Sequence, residues 1–324
     1  MDQVKTKEER KEEKRETSKE KEKERTRAGF APLVKGLDEL MEGGVPQGSW
    51  VSIYGNAGAY KTLHSLAFCI AGLMRGERCV FVSTEMNFSQ IKGQLTSLGW
   101  DEHLKTVHGT MFTTKILDQD YGNYELVLID TDSLYFWARK LNVAVREEKK
   151  KKSYWYTNIN VLAHAIITAL GAVGVVEREK EDITLEEIEY SRLRDGLFEK
   201  ESKWRFFTID RSLTARVVID SFSPYVEAYG FNRSGSLMTW LKMRLALPNV
   251  TYVIVNHTSK MTEEELGAAI AHVVDGRIRL LRVEEGEEQR VKGAITKMRE
   301  TNHDTKLHVV SVDREKNKNV LKWQ

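Results

Sequence analysis

The chain has 324 residues, 41% of them hydrophobic, which suits one large α/β domain with an insertion and excludes wholesale disorder. Lys and Arg number 50 against 48 Asp and Glu, so a net charge of +2 gives no global electrostatic case for nucleic acid. The two cysteines, Cys69 and Cys79, are too few for a disulfide framework or a four-thiolate zinc site. No apolar run reaches the ~18–20 residues of a membrane span and no signal-peptide pattern is read, so a cytoplasmic protein without membrane contact is expected. A charged fraction of 30%, of both signs, is compatible with a thermophile's ion-pair networks.

Residues 1–28 are nearly all charged or polar and carry no heptad seam, so they are expected to form a mobile tail or a solvated single helix. The domain is expected to occupy residues 29–324. Ser49–Tyr54 is a short apolar strand, followed by a glycine-containing turn and a helix over Lys61–Met74. Cys79–Ser83 is a second strand, with a helix near Ser89–Leu98 after it. Leu126–Ile129 and Val217–Ile219 are further apolar runs ending in Asp, and Val250–Val255 ends in Asn256-His257. Wholly apolar strands alternating with helices predict a mainly parallel sheet covered on both faces. Arg277–Val283, Arg290–Thr296 and Leu307–Val312 then predict an antiparallel extension at the sheet's edge.

Between Asp130 and Asp220 the chain runs longer than one crossover needs. An amphipathic helix with Ile159, Leu162, Ile166 and Leu170 on one face is expected there, inside an insertion at about 145–212. Its basic-aromatic stretch Lys149–Tyr156 (KKKKSYWY) pairs cations with rings that can stack on bases, or is a solvated linker beside an apolar anchor.

The chemistry concentrates in Gly55–Thr62 (GNAGAYKT), placed after a strand and opening a helix. That context is a phosphate-binding loop: the amides of Gly55, Asn56, Ala57, Gly58, Ala59 and Tyr60 wrap phosphates, Lys61 neutralises them and Thr62 offers a hydroxyl to Mg²⁺. Tyr60 breaks the usual pattern, which has glycine before the lysine. A side chain at positive φ costs about 1–2 kcal/mol there. Glu85, just past the second strand, is placed to polarise a water. Asp130 and Asp220 compete for the Mg²⁺-associated carboxylate, and Asp220 is favoured because Ser221 follows it and the next strand ends in Asn256-His257, a pair suited to sensing a γ-phosphate.

Lys35–Ser49 (KGLDELMEGGVPQGS), Ser83–Ile91 (STEMNFSQI) and Val217–Tyr225 (VVIDSFSPY) resemble the KaiC/RadA branch of the RecA-like P-loop ATPases. His272–Gly286 (HVVDGRIRLLRVEEG) and Lys297–His303 (KMRETNH) resemble the archaeal-type single KaiC domain in particular. The resemblance covers about residues 30–130 and 212–315. It implies a RecA-like fold, ATP and Mg²⁺ as ligands and a homo-oligomeric ring or filament. It gives Lys61 and Thr62 the Walker A roles, Glu85 the catalytic glutamate, Asp220 the metal-associated aspartate and Asn256 a place at the nucleotide. Lys297 and Arg299 match a Lys-x-Arg pair that reaches a neighbouring subunit's γ-phosphate; two residues apart on a strand, they face one side. Met86 stands where the family usually carries a second glutamate. A slow, Mg²⁺-dependent ATPase acting through assembly is the leading expectation. One alternative is a DNA recombination and repair helper, with Tyr229–Ser236 (YGFNRSGS) as a DNA-contacting loop, although Glu263, Glu264 and Glu265 would repel phosphate nearby. Another is a non-hydrolysing nucleotide-binding module that meets DNA or a protein through the insertion.

Overall fold

The computed structural model describes residues 27–102, 110–112, 124–140, 158–178, 207–258 and 270–324. In chain order its strands are β1 (Arg27–Ala28), β2 (Val34–Lys35), β3 (Val45–Pro46), β4 (Trp50–Gly55), β5 (Arg78–Ser83), β6 (Thr110–Phe112), β7 (Leu126–Ile129), β8 (Val176–Arg178), β9 (Phe207–Ile209), β10 (Ala215–Asp220), β11 (Val250–His257), β12 (Gly276–Glu285), β13 (Glu288–Met298), β14 (His308–Glu315) and β15 (Lys318–Trp323). The α-helices are α1 (Lys61–Met74), α2 (Phe88–Leu98), α3 (Thr131–Lys140), α4 (Ile159–Ala172), α5 (Ser223–Tyr229) and α6 (Phe231–Leu245).

One sheet of the described residues has the order β2-β15-β14-β13-β12-β4-β11-β10-β5-β7-β6. From β12 to β6 every neighbour is parallel, and β12 to β15 pair antiparallel. This is the expected α/β architecture with its antiparallel extension. The parallel core follows from composition: β4, β10 and β7 are buried at every position, which requires cover on both faces. One core packs α3, α4 and α6 on one face, with Trp137, Leu162, Ile166 and Leu170 among its buried side chains. A second core packs α1 and α2 on the other, with Phe68, Phe81 and Leu95. The β12–β13 hairpin turns at Gly286, whose φ of +66° suits a tight reversal.

Four expectations change. Arg27 and Ala28 belong to the fold rather than to a tail: β1 pairs with β3, and Arg27 donates to the carbonyls of Met41 and Gly44. Residues 1–26 lie outside the described residues. Helix α4 is buried nearly all round instead of on one face, because α3 and α6 pack beside it against the sheet. Tyr229–Ser236 forms no loop; α5 ends at Gly230 (φ +81°) and α6 starts at once. Burial of Ser234, Leu237, Met238 and Leu241 outweighs the loop-favouring Gly, Asn and Ser of that stretch. Strand β15 was not expected, and it joins β14 to β2. Lys149–Tyr156 and Glu263–Glu265 lie outside the described residues. Among those residues, no helix is long and apolar enough to cross a membrane.

Candidate nucleotide-binding site

Parallel strands bring their C-terminal ends to one edge, and the residues singled out in β4, β5, β10 and β11 meet there. Gly55 ends β4 at φ +151°, and a β-carbon on it would overlap the Leu280 carbonyl oxygen. Gly58 follows at φ +75° and Tyr60 at φ +60°, ψ +22°. Tyr60 therefore sits in the left-handed region that glycine would enter without cost. Its carbonyl accepts from the His64 backbone N–H at 3.0 Å and contacts His64 Nδ1 at 2.8 Å, so the helix beneath supports the strained residue.

Lys61 is 4% exposed and donates to the Asn56 carbonyl. Burial lowers its pKa to about 8, partly offset by the charges of Asp220 and Glu85. Asp220 is fully buried beside α1; Ser65 Oγ donates to its Oδ2 at 3.3 Å and Thr62 is hydrogen-bonded to it. Burial raises the Asp220 pKa to about 6, with the Thr62 bond opposing the rise.

Glu85 is held by the turn after β5, where Ser83 Oγ accepts the Met86 N–H at 2.9 Å. That turn is tied to β10: Ser221 N–H donates to Thr84 Oγ1 at 2.9 Å, and Thr84 Oγ1 donates to the Ser221 carbonyl at 2.8 Å. Ser221 Oγ donates to Glu85 Oε1 at 2.6 Å, and His257 Nε2 lies 3.1 Å from the same oxygen. The His257 contact is the largest cause of a lowered Glu85 pKa, ahead of the opposing burial and the Ser221 bond. Glu85 is thus an ionised carboxylate at neutral pH. Asn256 is buried near the end of β11, opposite Tyr54 of β4; its Nδ2 donates to Ser52 Oγ at 3.0 Å, and its Oδ1 has no partner among the described residues.

Asp130 is engaged elsewhere. Directly after β7, two strands from β10, it accepts from the Phe88 N–H, the Ser133 N–H and the Ser133 hydroxyl, at 2.9, 2.9 and 2.6 Å. It fastens the starts of α2 and α3. Ser221 enters the sequence reading only as the residue that follows Asp220; its bond to Glu85 is a role that the local sequence does not signal.

Lys297 and Arg299 lie at the opposite end of the sheet. Lys297 Nζ donates to the carbonyls of Ala271 and Val274 at 2.6 Å each, and Arg299 Nη1 pairs with Asp275 Oδ1 at 3.0 Å. Asp275 Oδ2 in turn accepts from the Trp50 N–H at 2.9 Å, at the start of β4. Five residues of strand separate Trp50 from Gly55, about 16 Å.

The donors present fit the ligands the resemblance implies. Two glycines and Tyr60 in left-handed conformations shape the loop, and Lys61 supplies a cation inside it. Thr62 and Asp220 offer hard oxygens side by side, and Mg²⁺ takes one or two such protein oxygens beside phosphate and water. Among the described residues, no group of three or more His, Cys, Asp or Glu gathers into a metal centre.

The family model "ATPase: KaiC" matches residues 32–155 and 206–322, well over half of the chain. The chain belongs to the KaiC ATPase family. KaiC relatives agree at modest identity. A UPF0273 protein of Thermotoga maritima is 30% identical over 37% of this chain and 51% of its own length. The circadian clock protein KaiC2 of Synechocystis is 29% identical over 40% of this chain and 27% of its own. A UPF0273 protein of Pyrococcus furiosus is 23% identical over 85% and 87%. The chain thus spans about half or less of the first two relatives and most of the third. The crystal structure of a KaiC-like protein from Pyrococcus horikoshii superimposes with a TM-score of 0.56 at 20% identity, covering 91% of this chain and 97% of the other, which shows the shared fold.

Tyr60 gives this KaiC-family site its first testable peculiarity. Binding a phosphate selects the loop conformation that a β-carbon at residue 60 penalises. Tyr60→Gly is therefore expected to raise ATP affinity about fivefold or more, whereas Tyr60→Ala, which keeps a β-carbon, is not. Calorimetric titration of both variants checks this. Equal affinities for Tyr60→Gly and the native protein would mean that the support from His64 has absorbed the cost.

Proposed function

We propose that the protein binds ATP with Mg²⁺, hydrolyses it slowly and acts through nucleotide-dependent assembly of its subunits. The observation that carries this reading is the convergence of Lys61, Thr62, Asp220 and Glu85 at one edge of the sheet, with Lys297 and Arg299 anchored at the other. The loop amides and Lys61 hold the phosphate oxygens. Thr62 and Asp220 hold the metal side of the nucleotide. Mg²⁺, when bound, neutralises charge shared by the β- and γ-phosphates. Glu85 orients a water and takes its proton as the water oxygen bonds to the γ-phosphorus, the bond from that phosphorus to the β–γ bridging oxygen breaks, and ADP leaves. The tether from Ser221 and His257 lowers the basicity of Glu85, which suits a slow reaction. Lys297 and Arg299 of one subunit stabilise charge on a neighbour's γ-phosphate.

The DNA-helper alternative loses its loop, since Tyr229–Ser236 is helical at every residue but Gly230. Three carboxylate variants test the proposal. Glu85→Gln is expected to bind ATP normally and to lose turnover about a hundredfold or more, because it keeps shape and deletes the base. Asp220→Asn is expected to weaken the Mg²⁺ dependence of binding. Asp130→Asn leaves that dependence intact and lowers the melting temperature instead, because one of the two acceptor oxygens is lost, and with it the bond from Phe88 N–H at the start of α2 or those from Ser133 at the start of α3. Phosphate release, Mg²⁺ titration and thermal melting separate these outcomes, and the reverse order of the two aspartates would contradict the assignment.

A further inference from the structure

The second cation beside the phosphate loop comes from the same chain. Strand β12 runs parallel to β4 and pairs Leu280 with Gly55, so it continues past the start of the loop. Two residues on, the Asn56 side chain grips the main chain of Arg282 at both ends: the Arg282 N–H donates to Asn56 Oδ1 at 2.7 Å, and Asn56 Nδ2 donates to the Arg282 carbonyl at 2.8 Å. This amide bridge fixes the start of the Arg282 side chain against the loop. The guanidinium then lies over Gly58, where a β-carbon would come within 2.8 Å of Arg282 Nη1 and 3.3 Å of Cδ. The residue is exposed, and its guanidinium has no carboxylate partner among the described residues. Nearby cations on β13 are engaged otherwise, Arg290 and Lys292 both pairing with Glu285.

The charge balance of the site gives such a cation a task. Lys61 faces two carboxylates, Asp220 and Glu85, and burial already disfavours its charge. A polyphosphate entering the loop therefore meets less positive charge than the lysine alone suggests. A guanidinium held above the loop by its own main chain is pre-organised to take two phosphate oxygens at once.

We infer that Arg282 is a phosphate-binding residue of the nucleotide site, acting on the nucleotide bound by its own subunit. The inference rests on the ATP-binding reading above and adds a contact made before any assembly. It differs in kind from Lys297 and Arg299, whose distance from the loop assigns them to a neighbour.

Because Asn56 holds the main chain, Arg282→Gln deletes the guanidinium and leaves the loop anchored. Calorimetry with MgATP and MgADP is expected to show about a ten- to hundredfold loss of affinity for Arg282→Gln, with the melting temperature of the unliganded protein unchanged. Arg282→Lys is expected to recover part of the loss, as a point charge without the fork. The gap between native and Arg282→Gln proteins narrows as salt rises, because the contact is exposed. Native-like affinity of Arg282→Gln overturns the inference and leaves ATP binding standing. An affinity loss shared equally by Arg282→Gln and Arg282→Lys, with a depressed melting temperature, overturns it too by making the residue structural. Failure of the native protein to bind MgATP overturns this inference together with the reading beneath it.

Discussion

Lys61→Ala is expected to reduce ATP affinity by on the order of a hundredfold or more, to below detection at millimolar nucleotide. The lysine is buried within the loop it serves, bonded to Asn56 and facing Asp220 and Glu85. Removing it leaves Asp220 and Glu85 without the buried cation they face, so a phosphate would meet added repulsion as well as a lost bond. Folding should tolerate the change, since the ammonium contributes one hydrogen bond to the unliganded protein and its burial is unfavourable. Calorimetry paired with thermal melting checks this directly. Undiminished ATP binding by a well-folded Lys61→Ala protein would contradict the phosphate-loop assignment.

The second large effect concerns Arg299. Arg299→Ala is expected to bind ATP like the native protein but to lose turnover about a thousandfold, the usual scale for a cation supplied across an interface. The expectation follows from placement. Arg299 and Lys297 sit by the start of β4, tied to Asp275, Ala271 and Val274, and the loop lies at the strand's far end. Reaching their own subunit's nucleotide would require rupture of that end of the sheet. Mixing Arg299→Ala with Glu85→Gln should then restore activity that neither has alone. In a random mixture of equal parts, about a quarter of interfaces pair an intact arginine from one subunit with an intact glutamate in the next, so close to that fraction of native turnover is expected. Phosphate release measured across mixing ratios tests this; a mixture no more active than its parts would place both groups in one subunit.

Much of this arrangement is visible in the sequence because the parallel core is monotonous. Lys61–Met74 and Leu126–Ile129 were expected with the ends they have, since a strand buried at every position and a helix after a glycine turn leave few alternatives. The same property brings the C-terminal residues of four strands to one edge, so Glu85 and Asp220 face Lys61, and Asp220 meets Thr62, without any further information. What the sequence hides is tertiary. Residues 229–236 carry loop chemistry and are helical because the core claims Leu237, Met238 and Leu241. Strand β15 is short and shows no regular polar–apolar alternation, and it exists because β14 and β2 lie ready to pair with it. The ties from Thr84 to Ser221 and from Ser221 to Glu85 join positions over 130 residues apart, and the grip of Asn56 on Arg282 joins positions 226 apart. No local pattern marks such pairs.

Particle mass under saturating ATP and Mg²⁺ bears most directly on the central claim, that the catalytic site is completed between subunits. Light scattering on the native protein, with and without nucleotide, is expected to show a rise in mass to a defined oligomer when ATP is bound. A protein that binds ATP to saturation and hydrolyses it while remaining a monomer would contradict the account.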